Sequence, residues 1–389
     1  MSTQQVPLPV HLLIETTTRC NLRCKQCAHV INKYAFADMS METFYKLRPL
    51  FPHAEQVALY GHGETFLHKQ FFEMLAEVKQ YPTEVYVTTN GMLVTEKVAE
   101  QLVELGLDKL AFSLDAATPE LFNEIRRGAQ LGKILENIRF LNHFKQRAGR
   151  DDKPTLSIMY CAMKSNIQEL PELVKMADEL NMTHGVAVMN IYEYDDQMVG
   201  ESLLRSPELA EPYLNEANRL AHRLAVPLGG VNNVFEGVSI RPVHLSWKER
   251  VYRTYREFKR SFDRTALLKL KLSRMAQRLK PAAANEQISE AVNSQRSDAQ
   301  LSGEAQMIRV KKCRDPWDFL FIDVHGNIRV CCTSHRIMGN VHDTDIVDIW
   351  NSRPYQEFRA KMVSPDIPEE CTTCLRKEWQ TLPYSLVIS

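Results

Sequence analysis

Over the first 225 residues, short apolar runs alternate with stretches that carry apolar side chains at helical spacing. The pattern predicts strands over 11–16, 55–60, 84–89, 108–114, 155–162 and 184–190. It predicts amphipathic helices over 41–50, 68–80, 95–105, 132–145, 166–180 and 207–224. Successive βα units of this kind imply a parallel sheet with helices on its outer face. Eight units would close a barrel, and in such barrels the chemistry gathers at the C-terminal strand ends.

The pattern then breaks over 232–306. Trp247, Val251, Tyr255, Phe258, Phe262 and Ala266 recur at helical spacing with Lys and Arg between them. After Pro281 the composition turns Ala/Asn/Gln/Ser/Glu-rich up to Gln306, which reads as a linker. Order is expected again near Ile308. A strand is predicted over Trp317–Asp323, a hairpin turn at His325-Gly326-Asn327 and a second strand running into Cys331-Cys332. The chain therefore divides into 1–231, 232–306 and 307–389.

Composition narrows this little: 389 residues, 44% hydrophobic and 25% charged, are ordinary for a globular protein with a sizeable core. No apolar run is long enough for a transmembrane helix. Met1–Gln5 lacks a basic region and an apolar core, which argues against a signal peptide and for the cytoplasm. Formal net charge is zero, yet residues 245–280 hold 12 Lys/Arg against 3 Asp/Glu. That stretch could cover the sheet or meet an anionic membrane surface, a nucleic acid or an acidic partner.

The nine cysteines change the picture more. Except for Cys161 they sit at the two ends of the chain: Cys20, Cys24 and Cys27, then Cys313, Cys331, Cys332, Cys371 and Cys374. In a cytosolic protein such clusters more often bind metal than form disulfides. Soft thiolates select zinc, copper(I) or iron–sulfur clusters. A structural zinc normally closes its shell with a fourth protein ligand, whereas the Cys-x3-Cys-x2-Cys loop after the first strand offers three.

That spacing resembles the radical S-adenosylmethionine (SAM) superfamily. In that family three cysteines hold a [4Fe–4S] cluster whose open iron chelates SAM, and the reduced cluster cleaves SAM to a 5′-deoxyadenosyl radical. The resemblance implies a partial (β/α)6 TIM-like barrel, and it extends to further strand ends. Gly61-His62-Gly63-Glu64-Thr65 is similar to the family's Gly-Gly-Glu-Pro motif, whose backbone and Glu bind the SAM amino group; Thr65 stands where Pro is usual. Glycines let a backbone approach a ligand closely, and a carboxylate suits an ammonium. Thr88-Thr89-Asn90-Gly91 resembles the family's Thr-Asn-Gly turn near SAM. Ser113 and Arg126 are the expected contacts to the SAM ribose and carboxylate, while Asp115 could cap the following helix. Cys161 could donate a hydrogen atom, although a buried structural cysteine is the commoner case. Asn190, Tyr192, Glu193 and Tyr194 are placed to line a substrate cavity.

The C-terminal cysteines resemble the SPASM/twitch domains that follow such barrels and hold an auxiliary [4Fe–4S] cluster. Five cysteines rather than seven or more match the single-cluster variants, as in the inosamine-oxidising dehydrogenases of aminoglycoside biosynthesis. The implied ligands are Cys313, Cys331, Cys371 and Cys374, with Cys332 able to replace Cys331. The expectation is therefore an enzyme with SAM and two [4Fe–4S] clusters, one of them auxiliary. A reducing partner such as flavodoxin or ferredoxin would supply its electrons. A fully ligated auxiliary cluster would relay an electron, which favours oxidation, epimerisation or rearrangement of a small sugar-like or alcohol substrate. The alternative substrate is a ribosomal peptide or protein side chain; no recognition domain is evident before the first strand. An alternative of another class is a zinc-stabilised protein that binds nucleic acid or a membrane through 245–280.

Overall fold

The computed structural model describes residues 6–150, 152–230, 238–254, 256, 307–311, 313–364, 366–372, 374 and 379–383. They fall into two compact units, one of residues 1–258 with 314–359, the other of 259–313 with 360–389.

In the first unit the strands are, in chain order, β1 (His11–Ile14), β2 (Arg23–Cys24), β3 (Gln56–Leu59), β4 (Glu84–Thr89), β5 (Lys109–Ser113), β6 (Arg126–Arg127), β7 (Thr155–Ala162), β8 (Gly185–Asn190) and β9 (Leu228–Gly229). The second unit contributes β10 (Met307–Lys311). Then come β11 (Phe319–Ile322), β12 (Asn327–Arg329) and β13 (Gly339–Asn340) in the first unit, and β14 (Trp379–Pro383) in the second. One ten-stranded sheet runs β13-β12-β11-β1-β3-β4-β5-β7-β8-β9. From β11 to β9 every neighbouring pair is parallel. The six predicted strands form its centre, in sequence order. In the second unit β10 pairs antiparallel with β14.

Strand periodicity explains the core. Along β4 and β7, burial alternates residue by residue, because successive side chains point to opposite faces. Ile14, Val57, Leu59, Val85, Val87, Leu110, Phe112, Leu156 and Ile158 are all fully buried. The other face carries Leu13, Ala58 and Phe321 packed with Tyr60, Tyr86 and Phe319. Polar groups stand at the strand ends of that face.

The helices keep their predicted places with shorter limits, except that the predicted 132–145 helix is longer and runs Leu131–Arg147. The 41–50 and 166–180 stretches each split into an α-helix and a 3-10 turn: Met41–Tyr45 with Arg48–Leu50, and Ile167–Glu169 with Leu170–Glu179. Pro49 lies in the first turn, where its missing N–H costs nothing. The hairpin turn is present, with Gly326 at φ +77°. Its first strand is shorter than expected, because Asp315–Asp318 form a helical turn opened by Pro316.

The hairpin does not fold apart from the barrel strands. Its strand β11 lies parallel to β1, with His11 opposite Phe319 and Ile14 opposite Ile322. Residues 247–254 and 256 are helical, and Trp247, Val251 and Tyr252 are exposed. Tyr255, Phe258, Phe262, Ala266 and the expected linker lie outside the described residues. Among the described residues no helix is long and apolar enough to cross a membrane.

Candidate functional site

The Cys20–Cys27 loop leaves the C-terminal end of β1 and is held from three directions. The backbone N–H of Gly63 donates to the Thr17 carbonyl at 3.2 Å, and that of Glu64 to the Arg19 carbonyl at 2.7 Å. Arg23–Cys24 pairs with Arg126–Arg127. The Gln26 Nε2 donates to Asp115 Oδ2 at 2.6 Å.

Gly61 and Gly63 have a definite reason here. A β-carbon at 63 would stand 2.5 Å from the carbonyl oxygens of Thr17 and Arg19. One at 61 would stand 2.3 Å from Glu15 Cγ. The close approach that these glycines permit is therefore between the β3 turn and the β1 end, protein against protein. Thr65 is buried and its Oγ1 donates to the Leu59 carbonyl and meets Thr16 Oγ1. Glu64 is 2% exposed. Its oxygens accept from Thr89 Oγ1 and from the Asn90 backbone N–H, each at 2.7 Å. Burial pushes the Glu64 carboxyl up, and those donors partly offset it. Glu64 thus ties the β3 turn to the β4 turn.

Polar donors surround the thiols. The Leu22 N–H lies 3.4 Å from Cys20 Sγ and Asn90 Nδ2 lies 4.0 Å from it. Asn90 Nδ2 also donates to Asn21 Oδ1 at 2.9 Å. Arg126 Nη1 lies 3.8 Å from Cys24 Sγ. Burial pushes the Cys24 thiol up to about 12 against the pull of Arg126, and raises Cys20 as well. Such thiols stay protonated and inert in water, but a bound metal displaces the proton outright. Among the described residues no three His, Cys, Asp or Glu side chains converge as a metal-holding group. The fit to a cluster rests on the three-thiol donor set and on the donors aimed at two of its sulfurs, which suit second-shell groups of a thiolate-bound metal.

Asp115 is the hub behind the loop. It is fully buried, and it does not cap a helix. Its Oδ1 accepts from the Cys161 backbone N–H at 2.9 Å, and its Oδ2 accepts from Gln26. Arg126 Nε stands 2.7 Å from the same Oδ2, yet off the hydrogen-bonding direction. Burial disfavours the guanidinium charge, and Asp115 more than restores it. Ser113, half-buried at the end of β5, lies in register with Met159 of β7. Cys161 packs against Ile125, Met163, Ile191 and Met198, and burial drives its thiol far up. That is the environment of a structural cysteine.

Two groups escaped the sequence reading. Glu15 ends β1 on the face of Leu13, two residues earlier, and is 4% exposed. Its Oε1 accepts from the His62 backbone N–H at 3.0 Å and lies 2.7 Å from His62 Nδ1. Burial would raise the Glu15 carboxyl, but His62 and the Val324 N–H hold it below its usual value. Around this pair stand aromatic rings. Tyr34 meets His62 edge-on at 5.1 Å, and Phe36 stacks on His29 at 5.2 Å. Tyr192 and Tyr194 are 5.5 Å apart. Burial, with the charges of Tyr34, Cys332 and Cys27 behind it, raises the Tyr194 hydroxyl to about 12. Glu193 is paired with Arg205 at 2.9 Å.

Of the C-terminal cysteines, Cys331 belongs to the first unit, its Sγ 3.2 Å from Thr333 Oγ1. Cys313, Cys371 and Cys374 belong to the second.

Residues 14–177 match the model of the radical SAM superfamily, and residues 313–375 that of the SPASM iron–sulfur cluster-binding domain. The tungsten-containing aldehyde ferredoxin oxidoreductase cofactor-modifying protein of Pyrococcus furiosus is 30% identical over 216 residues, 54% of this chain and 60% of that one. The PqqA peptide cyclase of Granulibacter bethesdensis is 27% identical over 207 residues, 52% of this chain and 53% of that one. The chain thus spans little more than half the length of these curated relatives. Among solved structures, Streptococcus suis SuiB bound to SAM superposes with a TM-score of 0.57 at 14% identity, over 95% of this chain and 69% of that one. Native anSMEcpe with bound SAM gives 0.56 at 17% identity, over 94% and 87%. The β1–β8 strands with the Cys20–Cys27 loop, and the cysteine-bearing hairpin after them, identify the chain as a member of the radical SAM superfamily with a C-terminal SPASM domain, an enzyme that uses SAM and [4Fe–4S] clusters.

Proposed function

We propose that this enzyme carries out a two-electron oxidation at an unactivated C–H carbon of a small hydroxyl-bearing substrate. The chemistry supplied by SAM on a reduced [4Fe–4S] cluster is homolytic hydrogen abstraction. In this reading Cys20, Cys24 and Cys27 hold that cluster. Asn90 and Arg126 donate toward its sulfurs, and Asp115 fixes Arg126 and Gln26 behind it. The Gly61–Thr65 turn and Ser113 bound the SAM site. Glu64 acts there by holding the turn, since its oxygens are already engaged.

What supports oxidation is the match of residues 313–375 to the SPASM iron–sulfur cluster-binding domain. An auxiliary cluster whose shell is closed by four thiolates would leave no open iron for substrate. A closed cluster accepts or relays an electron. A flavodoxin- or ferredoxin-like protein would reduce the enzyme.

A second reading keeps the chemistry and changes the substrate to a peptide side chain. The PqqA peptide cyclase likeness favours it. So does the exposed aromatic rim of Tyr34, Phe36, Tyr192 and Tyr194, a composition suited to protein contacts. As a subsidiary reading, Trp247, Val251 and Tyr252, beside Lys248, Arg250 and Arg253, would bring the enzyme to an anionic surface.

The test uses anaerobic, cluster-reconstituted protein with SAM and dithionite. Host extract is separated into small-molecule and peptide fractions, and 5′-deoxyadenosine release is measured with each. Stimulation by the small-molecule fraction supports the first reading, and stimulation by the peptide fraction replaces it with the second. Wild type that forms no deoxyadenosine under any condition overturns both.

A further inference from the structure

We infer that His62, oriented by Glu15, is the proton acceptor of the reaction. The inference rests on the oxidation reading above and deepens it.

Glu15 and His62 come from the C-terminal ends of adjacent strands β1 and β3, so the sheet fixes both. Glu15 is anchored further. Its backbone N–H donates to the Ile322 carbonyl at 2.8 Å, and the Val324 N–H adds to the pull that holds its carboxyl low. The carboxylate, held ionised, can only accept, so His62 Nδ1 carries the proton of the 2.7 Å bond. In the neutral ring the tautomer then follows: Nε2 holds the lone pair. No described residue hydrogen-bonds to that nitrogen, and the His62 side chain is 29% exposed. A buried carboxylate that sets the tautomer of a half-exposed imidazole is the arrangement by which a histidine becomes a base.

Its position suits the role. His62 lies between Gly61 and Gly63, and Gly63 is hydrogen-bonded to the segment that leads into Cys20. The charged and titratable groups around it are Glu15 on β1, Tyr34 on the segment after the cysteine loop, and His29 on the short helix Ala28–Ile31, which feels the charges of both His62 and Glu15. None of these competes for Nε2. Among the described residues no carboxylate or lysine other than Glu15 is hydrogen-bonded to the ring.

The step balances as follows. Hydrogen abstraction leaves a carbon radical that bears the substrate hydroxyl. Loss of the unpaired electron needs a one-electron acceptor, which an oxidised [4Fe–4S] cluster bound by this enzyme would supply. The hydroxyl O–H bond breaks, its proton goes to His62 Nε2, and its electron pair completes the C=O bond. The products are a carbonyl, an imidazolium paired with Glu15 and one electron passed to that acceptor.

The test uses the cluster-bearing holoprotein under anaerobic conditions. Diethyl pyrocarbonate modifies accessible unprotonated imidazole nitrogen, and the modification of the His62 peptide is followed by mass spectrometry. Exposed His53, His325 and His335 serve as internal standards. His62 is expected to react, with SAM present or absent, and Glu15→Gln is expected to slow it about threefold or more as the carboxylate's orienting effect is lost. Per deoxyadenosine released, His62→Gln is expected to form at least about tenfold less oxidised product than wild type with the extract fraction that stimulates wild type. Inert His62 beside reactive standards overturns the inference. So does full protection by SAM, an unchanged rate in Glu15→Gln, or a smaller fall in that product ratio in His62→Gln. Wild type that makes no deoxyadenosine defeats the oxidation reading instead, and the modification rates still report whether Nε2 is open and Glu15-oriented.

Discussion

A β-carbon at position 63 would meet two backbone carbonyls that belong to the segment entering the cysteine loop. Backbone cannot swing aside as a flexible side chain can, so Gly63→Ala must push the β3 turn off that segment. Overpacking of this kind costs about 1–3 kcal/mol. The expected result is lower thermal stability with a larger loss of bound iron from the N-terminal site, read by calorimetry and iron analysis. Iron retained at the wild-type level would show that the two loops are not coupled through this contact. Asp115 makes the complementary point. Asp115→Asn leaves Arg126 a buried guanidinium without its carboxylate, and breaking a buried pair on one side costs about 3–5 kcal/mol. It also removes an acceptor from Gln26 or Cys161. The variant should be strongly destabilised, and Arg126→Met in the same background should recover part of the loss, because it removes the stranded charge. Chemical denaturation of the single and double variants checks this. The Cys20–Cys27 loop was legible in the sequence as the segment that follows the first strand, because its spacing is local. Glu15 with His62 and Asp115 with Gln26 and Arg126 were not, because these partners lie 47, 89 and 11 positions apart and meet only when the strands are in register.

Strands show the same division between local and distant information. β4 and β7 run over the residues their alternation predicts, and the other four central strands differ from prediction only at their ends. The joining of β11 to β1 was not legible, since parallel pairing between strands 308 residues apart in register leaves no periodic trace. The N-terminal end of β5 carries a polar clasp that holds several elements together. Asp108 accepts from the Val85 N–H at 2.9 Å, from Lys79 at 2.6 Å and from Lys153. Burial alone would raise its carboxyl, but the two lysines and the β4 amide outweigh it and hold it below its usual value. A carboxyl depressed in the fold contributes stability that is complete above its unfolded value, about 3.9, and is lost as pH falls through the folded one. Asp108→Asn should therefore cost about 1.5–3 kcal/mol near neutrality. Its deficit relative to wild type should shrink below about pH 4. Urea denaturation of both proteins across pH 3–7 checks the sign. A deficit that grows toward acid would mean that the clasp does not depend on the charge of Asp108.

For the whole molecule, the proposed reaction divides its labour between two cysteine sets. Hydrogen abstraction needs the set with three thiols, and electron removal needs the set with four. Each [4Fe–4S] cluster brings about four irons, so the sets separate by counting metal and products together. Replacing Cys20, Cys24 and Cys27 with Ala should remove about four irons of a total of about eight and abolish deoxyadenosine formation. Replacing Cys371 and Cys374 should remove a similar share of iron and spare SAM cleavage, while oxidised product falls away. The second variant is the sharper one. If it cleaves SAM and still yields oxidised product, electron removal does not pass through the SPASM cysteines, and the argument for oxidation fails although the radical chemistry stands. If iron is unchanged while zinc accounts for the missing site, the SPASM thiols hold a structural metal, and the substrate radical must be resolved without an electron acceptor there. That outcome would favour rearrangement or epimerisation, in which the carbon radical is quenched by a hydrogen atom rather than oxidised. Cys161 would then return as the donor to test, against packing that marks it as structural.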